Sequence, residues 1–401
     1  MTTVPKSKVP APLLLTLATA AQVGMSTMQQ GVAVLSYALG APLALSLAQT
    51  GTLVSATSIG VMLAMFFGGI LIDRYGVRPV LLFASLVTVL GGATIASQTS
   101  YVGLALSLTA TGFGLGALPI AGARVIFDGF AGASRGLAMG IRQTGVPLGA
   151  AIAAATLPSL AQIYSPRAPW LWLALIAAAL NLVLAAAAPA APRVPPADRP
   201  PLGGDLRRIA LPALLAFMLA SGQYGLLTYT VVSAPGGASP ASAGILLAIA
   251  QLGGAAGRVG FGQLSDRLRS RPPVVAVAAG LGALGIALAT HLGAVPFAVR
   301  GLAFFVAGAG AIGWNALVLT WGGERVSGGR SGQAIGLIGT SVFAGSAVWP
   351  PLLGLLAQSG GFPVAWYALS ALIAGAAILA FAAGTSRASR NSRLGSPNGG
   401  A

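Results

Sequence analysis

Long stretches without a charged residue recur along the whole chain and constrain its fold more than any other feature. Two of them run from Pro79 to Ala123 and from Ile209 to Gly257. More than about 18 consecutive apolar residues are enough to cross the hydrocarbon core of a bilayer as a helix. Soluble domains carry about 25% charged residues, whereas this chain carries 7%. The sequence therefore predicts an integral membrane protein with many transmembrane helices.

The composition also excludes several classes of function. Strands of a transmembrane barrel would alternate apolar and polar residues over about 10 positions, and no such pattern occurs. The 22 basic residues give a net charge of +16, but they are scattered singly, so nucleic-acid binding is not indicated. With no cysteine, one histidine and six acidic residues, we expect no disulfide, no metal site, no cofactor and no catalytic constellation.

Glycine, proline and charged residues divide the chain into twelve predicted spans, each near the ~20 residues that a transmembrane helix needs. The spans are 11–36, 47–71, 79–98, 101–127, 136–163, 168–188, 208–232, 239–264, 273–291, 296–320, 332–358 and 362–384. The proline-rich segment after the sixth span is predicted to be an extended linker. The predicted fold is an all-α polytopic membrane protein. Its parts are an N-terminal six-helix half (1–188), a cytoplasmic linker (189–207), a C-terminal six-helix half (208–384) and a disordered cytoplasmic tail (385–401).

The basic residues predict the orientation of these spans. If the N-terminus is cytoplasmic, most of the 22 lysines and arginines fall in cytoplasmic loops, and only Arg167 and Arg300 fall in outer ones. An excess of Lys and Arg marks the cytoplasmic side of membrane proteins. Arginine far outnumbers lysine, which is typical of GC-rich bacterial genomes. We therefore expect a protein of the bacterial inner membrane with both termini in the cytoplasm.

The two predicted halves repeat one another in sequence. Residues Gly69–Arg74 (GILIDR) correspond to Gly262–Arg267 (GQLSDR), and Gln22 corresponds to Gln223 at a similar spacing. Parallel internal repeats of this kind occur in transporters, where the substrate site lies between the two repeats. The repeat therefore favours a transporter with a central site.

Through these residues the chain resembles the major facilitator superfamily over essentially its whole length. The residues that match the loop pattern of that superfamily are Gly69, Asp73, Arg74, Gly76 and Arg78, with a partial second copy at Gly262, Asp266 and Arg267. The resemblance implies alternating access, in which the two halves rock about a central site that opens to one side at a time. It also implies that these residues form a cytoplasmic gate. The other interpretation of the pattern is a fixed loop contact that only determines the topology.

Arginines inside the predicted spans are candidates for substrate binding, because placing a charge at mid-bilayer costs about 2.5–3.5 kcal/mol. Arg258 lies about 12 Å along the helix from the cytoplasmic Asp266. Its surroundings resemble the eighth-span arginine of organic-anion members of the superfamily, which implies that it binds a carboxylate. A guanidinium group suits this role because it donates two parallel hydrogen bonds. The alternative is that Arg258 reaches back to the membrane interface.

Two further arginines lie in the first half. Arg142 is about 10 Å beyond the cytoplasmic Arg135, and with its neighbour Gln143 it is predicted to face a cavity. Hydrogen bonding between helices is the other interpretation of this pair. Arg124 in the fourth span is a candidate substrate contact, although Asp128 lies one turn later and is placed to neutralise it.

Neutral polar residues complete the predicted site. They are Gln22, Gln223, Tyr224 and Asn315, since small-molecule sites combine apolar walls with a few fixed polar groups. Polar contact between helices is the alternative role for each. All six acidic residues fall in predicted loops or at helix ends, so the arginines are expected to leave a positively charged cavity.

Together these features predict a secondary transporter that moves a small organic anion, a carboxylate, with Arg258 and Arg142 binding it from opposite halves. Its expected partners are the anion, protons or a counter-anion, and the lipid bilayer, and the expected state is a monomer. Three alternatives stay open, namely an efflux pump for drugs or metabolites, a sensor that binds without transport, and a membrane enzyme. The lack of a buried carboxylate argues against the proton relay of many drug antiporters.

Overall fold

The computed structural model describes residues 9–130, 138, 141–188, 206–233, 237–289, 295–326 and 331–394, apart from some side chains within these ranges. In this part of the chain the regular structure is helical throughout. The helices in chain order are α1 (Ala11–Gly40), α2 (Leu47–Tyr75), α3 (Val77–Ser97), α4 (Tyr101–Leu115), α5 (Ala117–Gly129), α6 (Gly145–Ile163), α7 (Pro169–Ala187), α8 (Leu206–Ser233), α9 (Pro240–Arg267), α10 (Pro272–Ala289), α11 (Phe297–Gly313), α12 (Asn315–Gly323) and α13 (Ser331–Leu394).

These helices match the predicted spans. Eleven stretches are long and apolar enough to cross a membrane, and the last of them, Gly336–Thr385, holds two predicted spans. Gly361 divides those two, because its φ of 78° and ψ of 168° are not helical and a positive φ favours glycine. The fourth span consists of α4 and α5, and the tenth of α11 and α12. The all-helical polytopic fold is confirmed.

The last helix is longer than the sequence analysis predicts. The disordered tail was expected from residue 385, but α13 continues to Leu394, so the prediction is corrected for residues 385–394. Neither glycine nor proline occurs from Thr385 to Leu394, and extending an existing helix gains one hydrogen bond for each residue that is fixed. Residues 395–401 and most of the predicted linker, 189–205, lie outside the described residues.

Serine side chains start three helices at one end of the bundle. Ser46 accepts a hydrogen bond from the amide of Gln49, whose side chain in turn binds the Ser46 amide, so that α2 begins with a capping box. Ser100 and Ser239 cap α4 and α9 in the same way, without the return bond. Such caps satisfy amide groups that have no partner in the first turn of a helix. Local sequence therefore fixes where these helices begin.

The buried apolar side chains form two clusters, which lie mainly in the two halves. One runs from Leu14 to Ala188, and the other mainly from Leu215 to Ala380. The second cluster also takes in five residues of the first half, namely Ala33, Val34, Val54, Ala150 and Ala154. The halves are therefore packed units that share apolar contacts over a limited region.

Glycines let the helices within each half pack backbone against backbone. A Cβ atom added to Gly112 of α4 would lie 2.1 Å from the carbonyl oxygen of Thr57 in α2. In the second half, a Cβ added to Gly308 of α11 would lie 1.8 Å from the carbonyl oxygen of Ala250 in α9. Small residues at such crossings are typical of membrane helices, which associate through close packing. The two halves use the same device at corresponding crossings.

Candidate functional site

The two halves touch at the end of the bundle where α2 and α9 begin. We call it the outer end, following the predicted orientation, and the opposite end the cytoplasmic end. A Cβ added to Gly51 of α2 would lie 2.5 Å from backbone atoms of Pro350 and Pro351 in α13. A Cβ added to Gly244 of α9 would lie 2.3 Å from the carbonyl oxygen of Ala154 in α6. The halves therefore meet through backbone contacts at two crossings.

A proline pair in α13 supplies a hydrogen-bond acceptor to this contact. Because Pro351 has no N–H group, the carbonyl four residues earlier, at Ala347, loses its usual helical donor. The hydroxyl of Ser55 in α2 donates to that carbonyl. A gap in the hydrogen bonding of one half is thus filled by the other half.

Two more hydroxyl groups join the halves nearby. Tyr229 of α8 donates to the carbonyl oxygen of Leu47 at 3.2 Å and also lies in hydrogen-bonding range of the carbonyl of Pro350. Ser346 of α13 donates to the hydroxyl of Ser58 in α2 at 2.8 Å. We call these contacts of α2 with α8 and α13, together with the crossing of α6 and α9, the outer gate.

At the cytoplasmic end the corresponding positions are open. Cβ atoms added to Gly262, Gly336 and Gly339 would meet no atom of the described residues within 4 Å. Gly339 lies about three helical turns before Pro350, and hence on the face of α13 that contacts α2 at the outer end. Among the described residues, the halves are therefore closed at the outer end and parted at the cytoplasmic end.

Arg142 is held inside the first half. Its guanidinium donates to the side-chain oxygen of Gln22 in α1 at 2.6 Å and to the carbonyl oxygen of Pro119 in α5 at 3.2 Å. The side chain is buried, with 2% exposed, and Gly122 leaves the space that it fills. The structure thus brings together the predicted residues Arg142 and Gln22, and it supports the alternative role of joining helices.

Arg258 lies in a different setting, where both halves contribute side chains. It is half-buried on α9, and its Nε atom is buried without a hydrogen-bond partner. The hydroxyl of Tyr224 in α8 lies within electrostatic range of Arg258 and beside the side chains of Gln30 in α1 and Ser346 in α13. No described residue accepts a hydrogen bond from Arg258. Its charge is therefore available to a ligand between the halves.

The two arginines differ in their surroundings. Arg142 takes its partners from the first half, whereas the Arg258 group is built by both halves. The prediction that both arginines bind one small anion stays a prediction, and Arg258 is the better placed of the two.

The other predicted site residues are more scattered. Gln143 is exposed, and Asn315 is half-buried at the first position of α12. Gln223 is buried, and its side-chain oxygen has no hydrogen-bond partner. Arg124 is half-buried. The side chain of Asp128 lies outside the described part of the structure, so the proposed pairing with Arg124 remains a prediction.

The first copy of the loop pattern is described only in part. The side chains of Asp73 and Arg74 lie outside the described part of the chain, as does the packing of Gly69. Gly76 separates α2 from α3 with a φ of 87°, which explains the glycine at this position. Asp73 and Arg74 therefore remain predicted gate residues.

Arg78 binds the end of a helix within its own half. Its guanidinium donates to the carbonyl oxygens of Ala186 at 3.1 Å and Ala188 at 3.2 Å, at the C-terminus of α7. Positive charge is favourable there because the last carbonyls of a helix carry partial negative charge. In the described state Arg78 thus ties α3 to α7.

The second copy of the pattern forms an ion-pair network on the cytoplasmic side. Arg271 binds Asp266 at 2.6 Å and Glu324 at 3.0 Å. The hydrogen bond with Glu324 is the main reason why the pKa of Arg271 lies above its usual value, and Asp266 adds to it. Arg267 is exposed, and Gly262 faces open space. This network lies within the second half and links the α9–α10 turn to the end of α12.

Sequence analysis missed several polar residues that join the halves, among them Gln30, Ser58 and Ser346. A signal existed for the first, since Gln30 and Tyr224 are separated by nearly the spacing that relates the two repeats. For the two serines the sequence offers no signal, because their polar atoms are equally suited to bonding within their own helices.

Comparison with known proteins identifies the family. The family model described as Major Facilitator Superfamily matches residues 14–350. An uncharacterised MFS-type transporter of Mycobacterium tuberculosis, strain CDC 1551, is 32% identical over 317 residues, which cover 76% of this chain and 70% of the relative. Both matches extend across the two halves.

Two solved structures are similar in fold. A nucleoside transporter aligns with a TM-score of 0.75 at 16% identity, covering 92% of this chain and 98% of its own. The xylose transporter of E. coli, in an inward-open conformation, aligns with a TM-score of 0.73 at 15% identity, covering 92% and 96%. At this identity the likeness concerns the fold alone. With the family match, the fold and the repeated halves, the chain belongs to the Major Facilitator Superfamily, a family of membrane transporters.

Proposed function

We propose that this transporter moves a small organic anion, a carboxylate, by alternating access, with Arg258 as its main binding residue. The proposal includes the orientation inferred from the basic residues, with both termini in the cytoplasm of a bacterium. In the described state the site would then open to the cytoplasm. The substrate would bind between the halves, below the outer gate.

The observation that carries the proposal is the setting of Arg258. A charged side chain within a membrane span is costly to bury without a partner, and no described residue accepts a hydrogen bond from this one. The hydroxyl of Tyr224 lies within electrostatic range of Arg258, and it is the second donor in this proposal. A carboxylate is the ligand that a guanidinium group and a hydroxyl bind well together, through charge-assisted hydrogen bonds.

Arg142 adds to the positive potential of the site. It is bound by neutral groups only, so its charge is not cancelled by these partners, and charges act over long distances where water is scarce. Direct contact between Arg142 and the substrate, as the sequence analysis predicts, would require rearrangement of its bond to Gln22.

The proposal is tested by thermal stabilisation of the purified protein. The anionic probes are acetate, pyruvate, lactate and succinate. Xylose and uridine are neutral probes, chosen because similar folds carry sugars and nucleosides, and tetraphenylphosphonium represents the lipophilic cations of an efflux pump. A ligand at 100 times its dissociation constant stabilises the folded state by about 2.7 kcal/mol. We expect stabilisation by at least one carboxylate and none by the cation.

Three variants identify the residues that are responsible for the stabilisation. Arg258→Ala should abolish the stabilisation, whereas Arg78→Ala, which removes an arginine far from the site, should lower the basal melting temperature and preserve it. If Arg142→Ala also abolishes the stabilisation by the carboxylate, the second arginine contacts the anion; if the stabilisation persists, it does not. Stabilisation by xylose, uridine or the cation, unaffected by Arg258→Ala, would refute the anion proposal.

Flux measurements in liposomes then identify the coupling. If the carboxylate is carried with a proton, an inwardly directed pH gradient should drive its accumulation. If it is exchanged for another anion, uptake should require an anion inside the liposome and should be indifferent to the gradient. Binding without flux under both conditions would favour the sensor over the transporter.

A further inference from the structure

The two helix crossings that close the outer gate are counterparts in the internal repeat. Gly51 of α2 contacts α13 at Pro350, and Gly244 of α9 contacts α6 at Ala154. Gly244 follows Gly51 at the same spacing that relates the repeated segments GILIDR and GQLSDR. We call the contact of α2 with α13 the first crossing and that of α9 with α6 the second crossing. Because they are counterparts, the polar residues of one can be compared with the equivalent positions of the other.

Both crossings have a polar side chain about two helical turns after the contact glycine. In the first crossing, Ser58 follows Gly51 by seven residues, and Ser346 of the other half donates to its hydroxyl at 2.8 Å. In the second crossing, Gln251 follows Gly244 by the same seven residues. Seven residues are close to two full turns, so Gln251 lies on the face of α9 that contacts α6.

Gln251 lacks a partner at the position where Ser58 has one. Ala150 of α6 stands four residues before the contact residue, as Ser346 does in α13, and its side chain is a methyl group. Gln251 is 1% exposed, and no described residue accepts a hydrogen bond from its Nε2 atom. A donor buried in this way has lost its hydrogen bonds with water and gained none in return. The second crossing therefore closes at a cost that the first does not have.

We propose that Gln251 is a conformational device that favours opening of the outer gate, because its amide is buried without a partner only while the gate is closed. When α9 and α6 separate, water reaches the amide and restores its hydrogen bonds. One such donor changes the ratio of the two states about 5- to 150-fold. The hydroxyl bond between Ser58 and Ser346 acts in the opposite direction. The inference goes beyond the proposed function, since it concerns the empty transporter and holds for any substrate.

The test uses the absence of cysteine from the chain. Nitroxide labels on Tyr75→Cys, an exposed position at the end of α2, and on Gly339→Cys in α13 report the distance between the halves at the cytoplasmic end. Double electron–electron resonance without ligand gives the populations with this end open and closed. Gln251→Met replaces the amide by an apolar group of similar length. It should lower the ratio of outward-open to inward-open molecules about 5- to 150-fold, and Gln251→Leu should shift it in the same direction.

The same comparison is made in a Ser58→Ala background, which keeps the outward-open population measurable. Loss of the bond to Ser346 should raise the ratio about fivefold, and adding Gln251→Met should lower it again. An unchanged or higher ratio in both Gln251 variants, or an outward-open state that stays undetectable in the Ser58→Ala background, would overturn the proposal. Because no ligand is present, the result does not depend on whether the transporter binds a carboxylate.

Asn181→Leu is the matched control. Asn181 is also 1% exposed, and neither polar atom of its side chain has a hydrogen-bond partner among the described residues. It lies on α7, which packs against α1 and α3 of its own half, so its cost is the same in both states. Asn181→Leu should therefore raise the melting temperature and leave the ratio unchanged. An equal shift in this variant would show that the effect does not arise at the second crossing.

Discussion

Gly51 is the position where a single methyl group should change the balance between the two states of the transporter. A Cβ there lies 2.5 Å from the carbonyl carbon of Pro350 and the nitrogen of Pro351. Ordinary contacts begin at 3.4 Å, so α2 and α13 would have to separate by about 0.9 Å. Because both partners are backbone atoms, no change of rotamer relieves the clash.

The strain acts on one state only. Overpacking a close contact by a methyl group costs about 1–3 kcal/mol, and the contact of Gly51 with α13 exists only while the outer gate is closed. A free-energy difference of about 1–3 kcal/mol between two states corresponds to a 5- to 150-fold change in their ratio. Gly51→Ala should therefore favour the outward-open state by a factor in this range.

The assay is double electron–electron resonance between nitroxide labels on Tyr75→Cys and Gly339→Cys, at the cytoplasmic end of the two halves. Measured without ligand, the distances give the populations with this end open and closed. The matched control is Gly60→Ala on the same helix, where the added Cβ would lie 2.1 Å from the carbonyl oxygen of Thr109 within the same half. That clash is present in both states, so it should lower the melting temperature without changing the ratio. An unchanged ratio in Gly51→Ala, or an equal shift in Gly60→Ala, would refute this reasoning.

Three further predictions concern other contacts. Tyr229→Phe removes the hydroxyl that binds carbonyl groups of α2 and α13, and it should shift the same distance populations towards the outward-open state by about fivefold; an unchanged distribution would contradict it. Gln22→Leu leaves Arg142 without its strongest partner and should lower the free energy of unfolding by about 1.5–3 kcal/mol, which thermal unfolding measures and an unchanged midpoint would disprove. Glu324→Gln removes an ion pair of Arg271 between partly exposed groups, so it should cost about 0–1 kcal/mol and nothing at 1 M salt, and a larger, salt-independent loss of stability would be inconsistent with it.

The spans were predictable because each one is bounded by residues with a local physical effect. Pro240 and the cap at Ser239 begin α9, and Gly361 separates the last two spans. The divisions of the fourth and tenth spans, at Gly116 and Trp314, were not predicted. The first division lies just before Pro119, which has no N–H group to donate to the carbonyl of Leu115, so a local signal existed there.

The candidate site was predictable where charge is involved. Arg258 and Arg142 stand out because a charge in an apolar stretch needs a reason. The partners of Arg142 were not foreseen as a group, since Pro119 contributes a backbone carbonyl that any residue would offer. Ser58 also donates to the carbonyl of Val54 in its own helix. Its position in the sequence therefore does not reveal that it contacts Ser346 of the other half.

The composition of the outer gate has a consequence for temperature. Glycine, alanine and proline lose no side-chain rotamer entropy when they become buried, whereas long side chains lose up to about 2 kcal/mol each. The gate closes through backbone contacts at Gly51 and Gly244, through short serine side chains and through one longer side chain, Tyr229. Closing it therefore freezes few side chains, so the balance between the two states should change little as the membrane warms or cools.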